Sequence, residues 1–490
     1  MLNLILLLPF VAALLVLLGA PARKTALISS SATFLLSLYT LLSYDQAKAG
    51  FQFVFSKTVV PDWDLKYLLA VDGLSLLMLL LASVVALAAV WVTPRIERRE
   101  NLFYSCILLI SAGAIGAFVS QDLFFFYAFH EVALIPTFLL IGIWGSGDRR
   151  AVAWKITIYL ALGSAILLVG LLDLHHAIPT GQRTFDMIKL GQLSGSGLIP
   201  AAAQARPFVF LLVGFGILVS LFPFHTWAPA AYASAPAPAA MLHAGVLKKF
   251  GLYGLIRLAL PLLPDGAKTW AWLLLILLVG NIIYVGFATI GQKRLDLMLG
   301  YSSVMHMGYI FLGIASFNQV GVTGASLLMF AHGLSIATLF GLTGYLRQFS
   351  PTLAFDSLGG LAKQMPFLAA TFGAAAFASI GLPGFANFAA ELLVFFGAYK
   401  TSFAAPLSGN FKIATGFALW GVVISAVYML RAYRAGFLGP QKADSANWTD
   451  LTGSLKLPFI LLLGFLVLSG FFPNLLLNLV RPALQVLLAH

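Results

Sequence analysis

Long apolar runs follow one another along almost the whole chain, and only short polar segments separate them. Their usual length matches the roughly 20 residues that one transmembrane helix requires. The chain is 60% hydrophobic and 9% charged, whereas soluble domains carry roughly 25% charged residues. A soluble or disordered chain is therefore excluded, and the sequence predicts an all-α polytopic membrane protein. The apolar runs lie at 2–20, 25–44, 70–92, 102–120, 123–144, 152–173, 207–222, 238–259, 269–290, 301–317, 322–346, 366–381, 382–402, 411–436 and 456–480.

The number of spans depends on how two neighbouring runs are counted. We interpret 207–222 and 238–259 as halves of one interrupted span, which gives about fourteen transmembrane helices of ordinary length. Counted separately, the two runs give about fifteen. The polar loops 45–68 and 174–206 are long enough to form small external caps, and neither carries a chemical motif.

Basic residues indicate how the chain is oriented. The first run has no basic residue before it and has Arg23 and Lys24 after it, which is the reverse of a secretory signal peptide. We therefore expect a retained first helix, and the positive-inside rule places the N-terminus outside. Three arginine clusters agree with this orientation, because each of them follows an odd-numbered span. They are Arg95/Arg98/Arg99, Arg149/Arg150 and Arg431/Arg434.

Charge and cysteine content exclude several classes of function. The net charge is +12, but the basic residues are spread between apolar runs and do not form the solvated face of a nucleic-acid-binding protein. Cys106 is the single cysteine, so the chain cannot hold an iron–sulfur cluster or a thiol redox pair. A haem-bearing electron carrier is not favoured either, because no two helices repeat a histidine pair at matching depth. Any redox centre is then expected on another polypeptide.

Among the ionisable side chains inside apolar runs, we single out Glu131, Lys248, Lys249 and Glu391. A charge at membrane depth costs at least about 2.5–3.5 kcal/mol and usually marks a proton or ion path. The alternatives are a protonated glutamate that serves packing, and a Lys248 that reaches the membrane surface along its aliphatic stem. Burial disfavours a charged lysine and a nearby carboxylate favours it, so a movable pair of Glu131 and Lys249 has the chemistry of a proton relay.

Histidines also lie in or near the apolar runs. Imidazole titrates near neutral pH and can both donate and accept hydrogen bonds, so these residues are suited to shuttling protons. The alternative for each of them is a satisfied hydrogen-bonding residue inside the bundle. They are His130, His243, His306 and His332.

Prolines and glycines interrupt the apolar pattern at two places. Pro223 and Pro236 fall between two apolar halves, and Pro383 lies in GLPGFANF at 381–388. Non-helical backbone at membrane depth persists only where protein covers it or where it lines a cavity. Paired interruptions are typical of transporters built from inverted repeats, so we expect two discontinuous helices, each near an ionisable residue.

Five segments between residues 70 and 440 resemble the antiporter-like, proton-translocating membrane subunits of respiratory complex I, and most closely the subunit M family of NADH–quinone oxidoreductase. The family's essential fifth-helix glutamate corresponds to Glu131 in FHEVALIPTFLLIGIWG, and its pumping lysine corresponds to Lys249 in FPFHTWAPAAYASAPAPAAMLHAGVLKK. Two further segments, GYSSVMHMGYIFLGIA and MFAHGLSIATLFGLTG, bring His306 and His332 into the relay. Subunit M has glutamate at the twelfth-helix position, here Glu391 in GLPGFANFAAELLVFFG. Sister subunits and multi-subunit cation/proton antiporters usually have lysine there.

The chain departs from the family pattern at several positions. The family's lysine five residues before the Tyr-Ser-Ser motif is replaced by Asp296, and we expect either Asp296 or Lys293, on the same helical face, to take its place. His130 stands where tryptophan is usual, Lys248 where leucine is usual, and His243 where subunit M has an aliphatic residue. All five are therefore possible relay members.

The resemblance implies a fold of about fourteen helices with two inverted five-helix repeats. It places helices 1–3 in residues 1–101 and the first repeat, helices 4–8, in residues 102–300. The second repeat, helices 9–13, then covers 301–440, and helix 14 covers 441–490.

The function that the resemblance implies is proton translocation by a membrane-arm subunit of NADH:quinone oxidoreductase. Electrons would pass from NADH, or from ferredoxin, to quinone in other subunits, which would carry the flavin, the iron–sulfur clusters and the quinone site. This chain is expected to bind no cofactor, metal or nucleic acid. We expect it to contact the lipid bilayer and sister antiporter-like subunits in an energy-transducing membrane, such as a bacterial plasma membrane.

Two other functions stay open. One is a subunit of a multi-subunit Na⁺/H⁺ antiporter or of a membrane-bound hydrogenase complex, which a lysine at position 391 would have favoured over Glu391. The other is a scaffold whose charges serve only assembly.

Overall fold

The computed structural model describes residues 1–48, 50–194, 197, 199–350, 352–401, 403–442 and 447–488. Helices account for most of this part of the chain. The α-helices are α1 Leu2–Leu17, α2 Ala22–Leu42, α3 Gly73–Val92, α4 Glu100–Val119, α5 Leu123–Val132, α6 Leu134–Trp144, α7 Arg149–Ala177, α8 Met187–Ser194, α9 Ala201–Val219, α10 Trp227–Ser234, α11 Ala237–Leu242, α12 Lys249–Gly254, α13 Leu260–Leu262, α14 Pro264–Val279, α15 Val285–Ile290, α16 Leu295–Ala315, α17 Gln319–Leu346, α18 Pro366–Ile380, α19 Ala386–Tyr399, α20 Leu407–Phe437, α21 Leu457–Phe471 and α22 Asn474–Leu487. Short π-helical turns at His243–Leu247, Leu255–Ala259 and Gly280–Tyr284 join some of them, and 3₁₀ turns lie at Pro61–Trp63, Thr180–Gln182 and Gly453–Lys456.

Eleven helical segments in the described residues are long and apolar enough to cross a membrane, by length and composition. Shorter apolar helices are α1, α18 and α19. These segments confirm the prediction of a polytopic helical membrane protein. One of the long segments is α9, Ala201–Val219, which is long enough to cross the membrane by itself. The interpretation of the run 207–222 as half of an interrupted span is therefore wrong. The polar Gln204 and Arg206 in the first turns of α9 hide its true start.

The centre of the bundle is formed by α3 and α17, which are buried along their full hydrophobic length. The neighbouring α4 and α16 are buried along most of theirs. Outer helices such as α2, α7 and α21 instead expose large apolar side chains, including Leu35, Ile158 and Phe471. Exposed apolar side chains of this kind suit contact with lipid, while the fully buried helices can carry polar groups away from it.

A two-stranded hairpin covers one end of the bundle. Strand β1, Gln52–Val60, pairs antiparallel with β2, Leu65–Val71. The hairpin joins the bundle through the amide of Gln121, which donates to the carbonyl of Leu68 (2.9 Å). The sequence predicted only a polar cap here, because β1 is exposed along most of its length and shows no alternation of buried and exposed residues.

An ionic cluster ties this hairpin to the second external loop. Asp64 accepts hydrogen bonds from Thr184 (2.7 Å) and Lys189 (2.9 Å) and forms an ion pair with Lys66 (3.0 Å). Burial acts to raise the pKa of Asp64, but these hydrogen bonds and the lysine charge outweigh it and lower the pKa to about 2. Lys66 also reaches Asp186 (3.3 Å), so the two external caps form one surface.

The three arginine clusters lie together at the opposite end of the bundle, which we call the basic face. The indole of Trp144 donates to the carbonyl of Arg98 (3.1 Å), and Arg149 donates to the carbonyl of Ile143 (2.7 Å). Arg431 donates to the carbonyl of Gln292 (2.7 Å) in the loop before α16. The three clusters therefore lie at one end of the bundle, and the side of the membrane that this end faces stays a prediction.

The helix interruptions lie between defined helices. Pro223 falls between α9 and α10, Pro236 between α10 and α11, and Pro383 between α18 and α19. Helix α16 begins at Leu295, so the start of the apolar run 301–317 and the expected repeat boundary at 300/301 both fall inside a helix. Hydropathy placed the start of that run late because Asp296 makes the first turn of α16 polar.

Candidate functional site

Buried ionisable side chains from several helices lie near one another in the middle of the bundle. They come from α5, the π-helical turn and start of α12, α16, α17 and α19. The group comprises His130, Glu131, His243, Lys248, Lys249, His306, His332 and Glu391. All of them were candidates from the sequence, and all except Glu131 are buried.

The two lysines form the middle of this group. The ammonium of Lys249 donates to the carbonyl of Ala244 (2.7 Å) and lies 3.0 Å from Nδ1 of His332. Lys248 points elsewhere, with its Nζ 3.4 Å from Oγ of Ser303 and 5.3 Å from the ring centre of Tyr232. Because Lys248 is buried, it does not extend to the membrane surface.

Irregular backbone places these lysines. The turn His243–Leu247 is π-helical, and the amide of Lys248 donates to the carbonyl of His243, five residues back (3.2 Å). Single π-turns within α-helices are frequent at functional sites. Gly245 and Gly333 allow this turn to approach α17 closely, since a Cβ on Gly333 would stand 2.7 Å from the carbonyl oxygen of Gly245. This close approach brings Lys249 to His332.

Two histidines continue the group away from the lysines. The rings of His332 and His306 have centres 5.5 Å apart. Nδ1 of His306 lies 2.8 Å from the carbonyl of Ser302, and its Nε2 lies 2.7 Å from the carbonyl of Ser379. Both contacts are hydrogen bonds at the same time only when both ring nitrogens carry hydrogen. The site therefore has acceptors in place for a protonated His306.

Glu391 lies beside the second helix interruption. It is buried, and its Oε1 has no hydrogen-bond partner among the described residues. The carboxylate rests against Gly381, which has φ +82° in the segment between α18 and α19. Ser379, which accepts from His306, lies two residues before this glycine. The interruption thus places the histidines and Glu391 around the same short stretch of backbone.

Replacing Gly381 by alanine is expected to destabilise the chain. A side chain at positive φ costs about 1–2 kcal/mol, and a Cβ here would also collide with the carboxylate of Glu391. Gly439 is a matched control, because it has the same φ of +82° with no atom within 4 Å of the added Cβ. Thermal aggregation of the detergent-solubilised full chain measures the effect. Equal losses in Gly381→Ala and Gly439→Ala would contradict the tight fit of Glu391.

Glu131 lies at the other end of the group, on the outer side of the bundle. Its carboxylate accepts a hydrogen bond from Ser164, and its Oε1 lies 3.5 Å from Nδ1 of His130. Ser164 also lies 3.1 Å from the hydroxyl of Tyr127. The side chain of Glu131 is 33% exposed. A neighbouring protein could therefore reach this carboxylate.

The structure does not bring Glu131 and Lys249 into contact, and the movable pair that the sequence indicated stays a prediction. Glu131 turns toward α7, whereas Lys249 turns toward α17. Phe250, the residue after Lys249, stacks on the ring of His130 with centres 4.1 Å apart. Any proton transfer between Glu131 and the lysines must pass through other groups.

Asp296 and Lys293 lie apart from this group. Asp296 is buried at the start of α16 and pairs with Arg294 and Arg347, each at 2.7 Å. Lys293 is exposed and precedes the first residue of α16. The two residues therefore do not share a helical face, because the helix starts later than the spacing argument assumed. Arg347 also donates to the carbonyl of Ala233 (2.6 Å), so Asp296 connects helices at the basic face.

A buried ion pair at the hairpin end was missed by the sequence reasoning. The guanidinium of Arg257 donates to both oxygens of Asp72 (2.6 and 2.7 Å), and both residues are buried. Arg257 also donates to the hydroxyl of Tyr253 (3.3 Å). The available signal was an arginine inside the apolar run 238–259. A charge at membrane depth costs free energy there, as it does for the two lysines before it. Within the described residues, no three His, Cys, Asp or Glu side chains are grouped as metal ligands.

A family model and a relative each match more than half of this chain. The family described as NADH:quinone oxidoreductase/Mrp antiporter, transmembrane, matches residues 120–411. An NAD(P)H-quinone oxidoreductase chain 4 of Microcystis aeruginosa is 40% identical over 445 residues, which are 89% of this chain and 79% of that protein.

Solved structures show the same fold. A chain of respiratory complex I from Thermus thermophilus with bound NADH is 29% identical, has a TM-score of 0.90, and is matched over 100% of this chain and 99% of its own length. A chain of the Mrp complex from Dietzia is 21% identical with a TM-score of 0.83, covering 99% of this chain and 97% of its own, and shows the fold alone. Since the family match spans more than half of its residues, this chain belongs to the NADH:quinone oxidoreductase/Mrp antiporter transmembrane family.

Proposed function

We propose that this chain is a membrane-arm subunit of an NADH:quinone oxidoreductase and that it translocates protons, driven by electron transfer from NADH to quinone in other subunits. The observation that carries the proposal is the buried group of ionisable side chains between Glu131 and Glu391, in a chain whose relatives are quinone oxidoreductase subunits. Such groups at membrane depth are typical of proton relays in pumps.

The contacts support a sequence of proton carriers. Lys249 lies within hydrogen-bond distance of His332, and the ring of His332 lies next to that of His306. Beyond His306, the interruption at Gly381 leads to Glu391. An amine, imidazoles and a carboxyl can each hold and release one proton, so a proton can move along this group in single steps.

The driving force is electrostatic. Moving one elementary charge against the membrane potential costs about 2.3 kcal/mol per 100 mV. Two unit charges about 4 Å apart interact by about 4 kcal/mol near a protein surface. Because Glu131 is partly exposed at the outer side of the bundle, a charge change in a neighbouring subunit can act on it. An interaction of this size is sufficient to move one proton.

The residues of this chain also indicate what its partner subunits must supply. Its single cysteine, Cys106, is buried, and we assign the flavin, the iron–sulfur clusters and the quinone site to partner subunits. The partners include sister antiporter-like subunits, and the location is an energy-transducing membrane, such as a bacterial plasma membrane.

A subunit of an Na⁺/H⁺ antiporter or a membrane-bound hydrogenase complex is the second candidate, because the Mrp chain shares the fold. Glu391 favours the first candidate, since antiporters of this family usually have lysine there.

Replacing Glu131 by glutamine is expected to lower NADH-driven proton pumping while the subunit still assembles. Glutamine keeps the hydrogen bond from Ser164 but cannot carry the charge or the proton. The measurement is the ratio of protons pumped to electrons transferred in inverted membrane vesicles. Glu97→Gln is the control, because Glu97 is exposed in the loop before α4. A normal ratio in a fully assembled Glu131→Gln complex would refute the relay.

A further inference from the structure

Three residues that depart from the family pattern meet at one place in the fold. His130 is on α5, and His243 and Lys248 are at the two ends of the π-helical turn. His130 lies beside Glu131, and His243 begins the turn that leads to the two lysines. Their spacing in the sequence gives no sign of this, because α5 and the π-turn are more than 100 residues apart.

His130 connects this place to Glu131. Its Nδ1 is 3.5 Å from the carboxylate Oε1, and its ring stacks on Phe250, the residue after Lys249. His130 is buried, and its Nδ1 has no hydrogen-bond partner among the described residues. A small rotation of either side chain would turn the 3.5 Å contact into a hydrogen bond.

His243 and Lys248 lie around the same tyrosine. The rings of His243 and Tyr232 have centres 5.7 Å apart, and Nζ of Lys248 lies 5.3 Å from the centre of the same tyrosine ring. His243 is also buried, and its Nδ1 likewise lacks a partner in the described part of the chain. A buried polar nitrogen left without a partner costs about 1–3 kcal/mol. Nδ1 of His130 has Glu131 beside it, so it is Nδ1 of His243 that requires a further hydrogen-bonding group.

A small cavity separates the two histidines. It has a volume of about 10 Å³ and is lined by both His130 and His243. A volume of about 10–15 Å³ holds one water molecule. The other walls are aliphatic except for Thr137, whose hydroxyl already donates to the carbonyl of Ala133 (2.8 Å). The two imidazoles are therefore the proton carriers that face this space.

We propose that His130 and His243, bridged by one water molecule in this cavity, carry the proton between Glu131 and Lys248. This inference rests on the proposed function. Because Glu131 does not contact the lysines, a proton that passes between them needs intermediate carriers, and the inference names them. It also gives one role to three residues, His130, His243 and Lys248, that depart from the family together.

Each transfer moves one proton between neighbouring groups. The carboxyl of Glu131 gives its proton to His130, which leaves a carboxylate beside an imidazolium. His130 returns to the neutral state by giving a proton to the bridging water as that water gives one to His243. The resulting imidazolium of His243 then protonates the amine of Lys248 and becomes neutral again, so no charge is created or lost.

The test compares His243→Gln, His130→Gln and Glu131→Gln in the assembled complex in membrane vesicles. Glutamine still binds water but cannot hold an extra proton. We expect all three single variants to lower the ratio of protons pumped to electrons transferred by the same factor. The double variants Glu131→Gln/His243→Gln and His130→Gln/His243→Gln should show no further decrease, since the residues act in series. His176→Gln, at an exposed position on α7, should leave the ratio unchanged.

The outcomes separate the inference from the proposed function. A low ratio in Glu131→Gln with normal ratios in both histidine variants would overturn the inference alone. A further decrease in the double variants would also overturn it, because the groups would then lie on separate paths. A normal ratio in Glu131→Gln would overturn the proposed function itself. If His243→Gln does not assemble, His130→Gln decides, since its helix position requires no π-turn.

Discussion

Replacing Lys249 by methionine is expected to abolish the proton transport that this chain contributes, while the chain still assembles. Lys249 is fully buried, and its ammonium reaches both Ala244 and His332. Methionine has similar length and no proton to give, so it interrupts the carriers at their centre. Burying a charge without an opposite charge costs free energy, so an apolar side chain of similar length is expected to leave the chain folded, and a loss of pumping then reports on transport. The measurement is the ratio of protons pumped to electrons transferred from NADH in vesicles.

A second variant at Lys249 distinguishes charge from proton transfer. Arginine keeps the positive charge but does not release its proton, so Lys249→Arg should fail to pump as well. Lys363→Met is the control, because Lys363 is exposed. Pumping at the wild-type ratio in Lys249→Arg would mean that position 249 needs only a charge, and the relay role of Lys249 would be refuted.

Replacing Asp72 by alanine is expected to cause the largest loss of stability in this chain. Asp72 holds Arg257 through two hydrogen bonds in a buried setting and also caps α3 by accepting from the amide of Ser75 (2.9 Å). Removing one partner of a buried ion pair costs about 3–5 kcal/mol, and losing the helix cap adds about 1 kcal/mol. Thermal aggregation and the amount of chain in the membrane should both show the effect.

Two further variants divide this loss into its causes. Asparagine also caps helices well, so Asp72→Asn should retain the cap and lose only the charge. Asp148→Ala removes an exposed cap of α7, where Asp148 accepts from the amide of Ala151 (3.3 Å). It should therefore cost only about 0.5–2 kcal/mol. If Asp72→Ala costs no more than Asp148→Ala, the ion pair with Arg257 does not stabilise the bundle as we describe.

The membrane class and most ionisable candidates could be predicted from the sequence, because both depend on local composition. A charge inside an apolar run is visible without knowing what it contacts, and this identified Glu131, Lys249 and Glu391. The breaks at Pro223 and Pro383 were equally visible, since proline and glycine act on their own segment. The family resemblance then supplied the role that is expected of each of these residues.

Contacts between distant segments could not be predicted in the same way. The structure shows no contact between Glu131 and Lys249, because Glu131 on α5 turns its carboxylate toward Ser164, 33 residues away on α7. Hydropathy does not show which way a helix is rotated about its axis. The π-turn at His243–Leu247 shifts the direction of every later side chain in that segment, including both lysines, and no residue type marks such a turn.

The remaining differences between the predicted and the observed structure arise from where the helices begin. Lys293 was placed on a helical face with Asp296, but α16 begins at Leu295. Asp296 is then the first-turn acid of α16, where it favours the positive end of the helix dipole. Its two arginine partners come from the loop before α16 and from the segment just after α17, which sequence spacing does not bring together.

The central claim, that this chain serves a redox-driven quinone oxidoreductase, is tested most directly by the proteins that co-purify with it. The chain would be tagged and its native membranes solubilised gently, and the flavin and iron–sulfur signals of the purified assembly recorded together with NADH–quinone activity. We expect partners that carry flavin and several iron–sulfur clusters and that reduce quinone with NADH. An assembly of small membrane subunits with no redox signal would contradict this account and place the chain among the antiporters.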